Sequence, residues 1–365
     1  MRVLVAMSGG VDSSVVACLL KEQGYDVIGV RFQLWQDPLA PAIAKVLPTK
    51  CCDAQTLARA RTVCKQLNIP LHTLDLAEEF KCAVVNPFIA AYRSGRTPNP
   101  CVLCNRSFKF KHLLTLAKKL KCDRMATGHY ARIVRKKNNF ALLEATDSSK
   151  DQSYFLARLT QKELSQTLLP LGTKTKRETF ALAKKFKIPL DPVSYKESQD
   201  LCFIPEKSPA LFLRRYITDA KPGPIKTLDG KTVGKHEGLP FYTIGQRRGL
   251  KIGGQERSVY VVSIDQKNNT IFVASSRALL STNVHVRSLV FPRVTPKPHK
   301  TVTLSARIRA RSEKECGTFT FWRSTGLFTF NHPVRAATPG QALVLYRGQE
   351  IIGCGLIATE VHRKH

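Results

Sequence analysis

The first apolar run, Arg2-Val3-Leu4-Val5, is short and rich in β-branched residues, and predicts a strand. Past Ala6-Met7-Ser8-Gly9-Gly10-Val11-Asp12-Ser13-Ser14, the apolar positions Val11, Val15, Val16, Leu19 and Leu20 recur at helical spacing. The alternation continues, with strands predicted over 25–32, 71–76 and 124–127 and helices over 53–67, 78–92 and 108–120, Asp53 standing as an N-cap. Strand alternating with helix predicts an α/β fold with a doubly wound parallel sheet. Ligands of such sheets bind beyond the carboxyl ends of the strands. The Ser8–Ser14 loop, Phe32 and Gly128 all fall at such ends.

The remaining pattern is less helical. Residues 36–50 read as a loop insertion, and 131–135 with 140–144 as a hairpin tipped by Asn138-Asn139. Helical stretches follow over 161–168 and 177–186, then a polar, irregular segment over 191–205. Near Glu206 glycines become frequent between short β-type runs, and 259–265 with 270–274 read as a hairpin around Asn268-Asn269. From about 283 to 359 strands alternate with no good helix, as in a compact β-barrel or sandwich. The expected division is an α/β domain over 1–205, a small β-rich middle domain over 206–280 and a C-terminal β-barrel over 281–365. In Arg307-Ile308-Arg309-Ala310-Arg311 the alternation places three arginines on one strand face, read either as a solvated edge or as an RNA contact.

Composition narrows the function. The 365 residues, 43% hydrophobic and 23% charged, suit a globular protein of two or three domains. No apolar run approaches the roughly 20 residues needed to span a bilayer, so no membrane partner is expected. The chain enters its first strand at once, leaving no room for a signal or transit peptide, and a cytoplasmic location is expected. Lysine and arginine number 58 against 27 acidic residues, a net charge of +31. Such an excess points to a polyanionic partner, most simply nucleic acid.

The Ser8–Ser14 loop carries the first chemistry. A strand–glycine turn–helix directs backbone N–H groups at an anion. Gly9 and Gly10 would let a phosphate approach the backbone, while Ser8, Ser13 and Ser14 add hydroxyl donors. Asp12 is negative and suits a cradle for phosphates only if it binds Mg²⁺ or orients a nucleotide. No Gly-Lys-Ser/Thr closes the loop, so it is not a Walker motif.

Eleven cysteines are an odd set for a disulfide framework. Cys18 and Cys64 sit in apolar helical patterns and read as core, and Cys82, Cys122, Cys316 and Cys354 read the same way. Thr97-Pro98-Asn99-Pro100-Cys101-Val102-Leu103-Cys104-Asn105 is read as a rigid loop that ends just before a helix, beside Arg106 and Lys109. A helix N-terminus and nearby cations favour thiolate at Cys104. The Cys101-x-x-Cys104 spacing fits a redox pair or half a zinc site completed by Cys51-Cys52, although adjacent cysteines chelate a tetrahedral metal poorly. No metal ligand is assigned. Cys202 in Leu201-Cys202-Phe203-Ile204-Pro205 is a second reactive candidate, or else a half-buried thiol.

Taken together these motifs resemble the tRNA-specific 2-thiouridylases, within the PP-loop ATP pyrophosphatases. The resemblance rests on the Ser8–Ser14 loop, Asn99 to Asn105, Ala126-Thr127-Gly128-His129-Tyr130, Lys150-Asp151-Gln152-Ser153-Tyr154, Leu201-Cys202-Phe203-Ile204, Tyr242-Thr243-Ile244-Gly245-Gln246-Arg247 and Thr338-Pro339-Gly340-Gln341, and spans nearly the whole chain. It implies a PP-loop type sheet and thiolation of carbon 2 of the first anticodon uridine, generally in the tRNAs for Lys, Glu and Gln. ATP, with Mg²⁺, would be bound by Ala6, Met7, Ser8, Gly9, Gly10, Val11, Asp12 and Ser13, with Phe32 and Gly128 at the nucleotide. Cys104 would be the nucleophile. Cys202 would carry a persulfide received from a sulfur-donor protein and pair transiently with Cys104. Asn99, Pro100 and Cys101 would meet the base, and His129, Lys150, Asp151, Gln152, Arg307, Ile308 and Gln341 would contact tRNA. Phe32 stands where many members have methionine, and Cys101 where many have aspartate, so Cys101 is given no catalytic role. A monomer is expected. The competing readings are a PP-loop ligase that adenylates a small molecule and a non-catalytic RNA-binding protein.

Overall fold

The computed structural model describes residues 1–41, 54–189, 201–206, 208–253, 258–293, 295 and 297–359. The expected N-cap Asp53, the Cys51-Cys52 pair and residues 191–200 lie outside this range, as does the 42–50 part of the expected insertion.

The N-terminal strands in chain order are β1 (Arg2–Ala6), β2 (Asp26–Gln33), β3 (Leu71–Asp75), β4 (Arg124–Ala126), β5 (Arg132–Lys136), β6 (Asn139–Leu143) and β7 (Thr167–Leu168). Five of them form one sheet in the order β3-β2-β1-β4-β7, with every pairing parallel. The chain steps outward from β1 through β2 to β3, then returns to β1's other side with β4. The switch point is therefore between β1 and β4, where a ligand crevice opens. Helices α1 (Val11–Glu22) and α2 (Ala54–Gln66) cover one face with the Lys176–Lys185 helix, burying Val3, Val5, Val15, Val16, Val63 and Ala183. The stretch expected to be helical to 168 instead ends at Ser165, and Thr167–Leu168 joins the sheet edge, where a β-branched residue fits the pleat.

Two further helical runs widen into π-helical turns. One passes from Ala77–Phe80 through Lys81–Val85 to Asn86–Arg93, and the wide turn precedes Pro87, which lacks the N–H that a regular helix requires. The other runs from Pro100–Cys104 through Asn105–Phe110 to Lys111–Lys119. This corrects the expectation of a loop up to Asn105. Pro100 occupies the first helical turn, where its missing N–H costs nothing, and Asn99 caps it by accepting from Val102 N at 3.4 Å. Cys104 thus lies inside a helix, not before one.

The middle strands β8 (Gly223–Thr227), β9 (Thr232–His236), β10 (Tyr260–Asp265) and β11 (Thr270–Ala274) form a small sheet in the order β10-β11-β8-β9, with the expected hairpin present. Then come β12 (Leu280–Val290), β13 (Thr301–Arg307), β14 (Glu315–Trp322), β15 (Thr325–Arg335), β16 (Ala342–Arg347) and β17 (Glu350–Ile357). Their antiparallel ladder runs β12-β15-β14-β13-β16-β17, and β12 also pairs with β17, closing a six-stranded barrel. Its interior is filled by Phe319, Phe328, Phe330, Leu343 and Leu345. The β5–β6 hairpin extends this sheet through Glu350↔Leu143, and its turn residue at positive φ is Lys137, so the tip lies one residue before the Asn138-Asn139 expected. Among the described residues no helix is long and apolar enough to cross a membrane.

Two cysteine assignments change, those of Cys82 and Cys316. Cys18, Cys64 and Cys354 are buried, and burial pushes each thiol up to about 11. Cys82, in a π-helical turn, and Cys316, on β14, are exposed, while Cys122 is half-buried and packs against the apolar cluster of Leu116 and Met125.

Candidate active site

The Ser8–Ser14 loop leaves β1 at the switch point. Gly9 adopts φ +77°, and a Cβ there would lie 2.0 Å from the Thr56 carbonyl oxygen, so only glycine fits. Gly10 is the N-cap of α1 and has no capping side chain, which leaves the first-turn N–H groups facing the loop. Ser13 and Ser14 each donate to the Gly10 carbonyl at 3.0 Å, and the Ser8 and Ser13 hydroxyls lie 3.1 Å apart. Arg59 donates to the Gly9 carbonyl at 2.8 Å and ties the loop to α2. Gly128 presses on the same loop: a Cβ there would lie 3.0 Å from Ser13 N. Phe32, near the end of β2, sets its ring edge-on to His112 at 6.2 Å.

Asp12 is not an isolated charge. Its Oδ1 accepts from Lys176 Nζ at 2.7 Å and from the Tyr130 hydroxyl at 2.9 Å. Lys176 is 9% exposed and is delivered from more than a hundred residues away, so no local motif announces it. Its own N–H donates to Asp147 Oδ2 at 2.9 Å. The Ser149 hydroxyl and that N–H hold the Asp147 carboxyl below the usual range. The loop bearing Lys150, Asp151 and Gln152 is thereby linked to the glycine loop. Gln152 completes the link, accepting from Tyr130 N at 3.0 Å and donating its own N–H to the Tyr130 carbonyl at 2.8 Å. His129 pairs with Thr127 Oγ1 at 2.8 Å, and burial followed by the Lys109 charge lowers its imidazole to about 3. It is therefore a neutral ring across the physiological range.

The residues expected at tRNA divide into surface and buried groups. Arg307 ends β13 and lies 3.2 Å from Glu144 and 3.5 Å from Asp151, over the Tyr346 ring; Lys314 meets Glu144 at 2.7 Å. Ile308 is 3% exposed in the barrel core, so any RNA contact there falls to its backbone. The expected shared face of Arg307, Arg309 and Arg311 does not form. The strand ends at Arg307, and Arg309 turns to donate to the Arg335 carbonyl at 2.7 Å. Gln341 donates to the carbonyls of Thr97 at 3.0 Å and Pro98 at 3.3 Å, and Thr97 N donates to the Pro339 carbonyl at 2.9 Å. Gln341 thus fastens the barrel to the segment that carries Asn99, Pro100 and Cys101.

Cys104 and Cys202, far apart in sequence, meet one apolar cluster. Cys104 is 6% exposed among Phe80, Phe108, Phe203 and Phe212, and Cys202 is half-buried against the same group. Phe32 and Leu74, at the carboxyl ends of β2 and β3, pack on this cluster, so it adjoins the ligand end of the sheet. The Cys202 segment is held by an ion cluster that sequence reading missed. Arg215 Nε donates to Asp37 Oδ2 at 2.9 Å, Arg215 Nη2 donates to Glu206 Oε2 at 2.9 Å, and the Tyr216 hydroxyl donates to Asp37 Oδ1. The Arg215 guanidinium holds the Glu206 carboxyl below its ordinary range. The Asp37 side chain is fully covered.

Comparison with known proteins agrees with this architecture. Residues 1–206 match the family described as tRNA methyl transferase HUP domain, 210–275 its PRC-barrel domain and 281–357 the aminomethyltransferase beta-barrel domain. The tRNA-specific 2-thiouridylase MnmA of Desulforamulus reducens is 40% identical over 371 aligned positions, covering 100% of this chain and 99% of that protein. The protein of that name from Chloroflexus aurantiacus is 43% identical over 361 positions, covering 98% of each. Among solved structures, the U34-tRNA thiolase NcsA of Methanococcus maripaludis gives a TM-score of 0.34 at 18% identity over 56% of this chain and 61% of that one, too slight a likeness to carry an argument. Full-length identity at this level, over an α/β sheet, a small middle sheet and a closed barrel, places the chain in the tRNA-specific 2-thiouridylase family.

Proposed function

We propose that the chain is an ATP-dependent tRNA thiolase that replaces oxygen by sulfur at carbon 2 of the wobble uridine. The observation that carries this reading is the meeting of Cys104 and Cys202 in one cluster beside the carboxyl ends of the strands. Neither a methyl transfer, which the family description names, nor a small-molecule ligation calls for a pair of thiols.

The glycine loop fits a nucleotide. Gly9 and Gly10 present backbone, Ser8 and Ser13 present hydroxyls, and Lys176 sets a cation against Asp12. Asp12 would help hold Mg²⁺, which would supply neutralising charge for the leaving pyrophosphate. The uridine O2 attacks the α-phosphorus and pyrophosphate leaves. That converts a poor leaving group into AMP. Asn99, Pro100 and Cys101, at the first turn of the Cys104 helix, meet the base, which must leave its stack to reach them. Sulfur arrives as a persulfide on Cys202 from a donor protein. Either its terminal sulfur attacks carbon 2 and Cys104 then attacks the Cys202 sulfur, breaking the S–S bond so that the sulfur stays on carbon 2 and a Cys104–Cys202 disulfide forms, or Cys104 attacks the Cys202 sulfur first, forming the same disulfide and releasing hydrosulfide that attacks carbon 2. In both routes AMP departs with the original oxygen. The disulfide formed from Cys104 and Cys202 must then be reduced by an external thiol. His129, Lys150, Asp151, Gln152, Arg307, Ile308 and Gln341 hold the RNA directly or order the loops that do.

The test is sulfur incorporation into unmodified tRNA with ATP, Mg²⁺ and a sulfide or persulfide source, read as retarded migration on a mercury-containing gel, alongside pyrophosphate release. Thiolated tRNA and tRNA-dependent pyrophosphate are expected. Pyrophosphate release that ignores tRNA, with no thiolated product, points to a small-molecule ligase. RNA binding with no pyrophosphate leaves only a binding protein.

The Arg215 cluster makes a separate prediction. Arg215→Ala releases the Cys202 segment from Asp37 while leaving the glycine loop untouched. Thiolation should fall on the order of ten- to a hundredfold, as expected for a misplaced reacting group. The tRNA-dependent pyrophosphate release should persist, and Arg215→Lys should recover part of the loss. A parallel loss of both activities would show that Arg215 serves the fold alone.

A further inference from the structure

The helix that begins at Pro100 has a second face. Arg106, Lys111 and Lys118 lie along it and line a groove of about 1050 Å³ on the side away from the Cys104 cluster. Arg124 at the start of β4, Arg158 and Lys162 form the opposite wall. Two carboxylates line the groove, and both are engaged: Asp123 accepts from Arg2 N at 2.7 Å, and Glu163 accepts from Thr160 N at 2.7 Å in a capping box. Arg158 is 8% exposed and donates to the Ser288 carbonyl at 2.9 Å, which fixes that wall to the barrel. Among the described residues no ion pair engages Arg106, Lys111, Lys118, Arg124 or Lys162.

We infer that this groove binds the sugar–phosphate backbone of the RNA whose base is presented at Asn99, Pro100 and Cys101; the inference rests on the proposed function. Three features favour RNA. The cations outnumber the carboxylates and lack carboxylate partners. They span roughly 20 Å of helix, enough to follow several phosphates. And the groove belongs to the same rigid helix as the base-binding turn, so a strand entering that turn passes it. Backbone phosphates position an RNA without reading sequence, so the groove sets affinity and register.

The experiment compares wild type with the triple variant Arg106→Gln, Lys111→Gln, Lys118→Gln. These side chains lie on the surface side of the helix, and an unchanged melting temperature will confirm the fold. The Kd for unmodified tRNA is measured over a series of salt concentrations. Each lost phosphate contact should flatten the log–log salt slope by roughly 0.7–0.9, so the slope should drop by about two to three and affinity near physiological salt by tenfold or more. The KM for ATP should not change. An unchanged slope and Kd overturns the inference. So does intact tRNA binding with impaired persulfide transfer from the donor protein, which would make the groove a protein dock. Wild-type protein that binds no tRNA would instead sink the thiolase reading itself.

Discussion

Cys104→Ser is expected to abolish sulfur incorporation into tRNA, by on the order of a thousandfold or more, while tRNA-dependent pyrophosphate release survives. On the proposed mechanism the two halves of the reaction use separate parts of the chain. Adenylation in that mechanism belongs to the glycine loop, of which Cys104 is no part. Sulfur transfer would belong to the apolar cluster, where Cys104 is 6% exposed together with Phe80 and Phe108. Serine matches the cysteine in shape but can neither attack a persulfide nor form a disulfide, so the packing persists and the chemistry stops. Cys202→Ser separates the routes further. With a persulfide donor it should be as inactive as Cys104→Ser. With free sulfide supplied in excess, product from Cys202→Ser alone would place Cys202 in delivery, with hydrosulfide as the attacking species. Full activity of either variant with the persulfide donor would overturn the relay.

Gly9→Ala is expected to lower ATP-dependent pyrophosphate release on the order of a hundredfold, with KM for ATP rising. Two effects coincide. The residue holds φ +77°, which costs a non-glycine residue roughly 1–2 kcal/mol. The added methyl would also lie 2.0 Å from the Thr56 carbonyl oxygen, a backbone atom on α2 that cannot rotate away. Either α2 retreats or the loop opens, and both displace the first-turn N–H groups that the proposed function gives to the phosphates. Gly24 supplies the control. It holds φ +80° with nothing within 4 Å of an added Cβ, so Gly24→Ala carries the backbone cost without the collision. It should lower stability by roughly 1 kcal/mol and leave pyrophosphate release intact. Equal behaviour of the two variants in the activity assay would show that the approach of Thr56 plays no part in nucleotide binding.

Much of the site was legible locally. Glycines at 9 and 10 between a β-branched run and a helical one announce a strand–turn–helix because each signal lies within a few residues of the next. The cysteine at 104 was recognised but misplaced. Prolines at 98 and 100 argue against a helix, whereas Pro100 sits in the first helical turn, which tolerates it. The arginine alternation at 307–311 has strand periodicity, yet the strand stops at Arg307, where a turn answers Ser312 rather than a neighbouring strand. Short patterns near element ends lack the repeats that would expose such a stop.

The chain by itself determined the order of strands and helices, the parallel character of the first sheet, the β-only C-terminal region and the glycine turn between β1 and α1, because hydrophobic period and glycine–proline chemistry act over a handful of residues. Tertiary structure alone decided the partners. It brought Lys176 to Asp12, Arg215 to Asp37 and Glu206, Gln341 to the Thr97–Pro98 carbonyls, β12 to β17 to close the barrel, and Cys202 to the Cys104 cluster. Each of these contacts joins segments with no shared periodicity. A charged or polar side chain in isolation states only that it needs a partner, and which partner it finds is settled when the sheet, the middle strands and the barrel pack against one another.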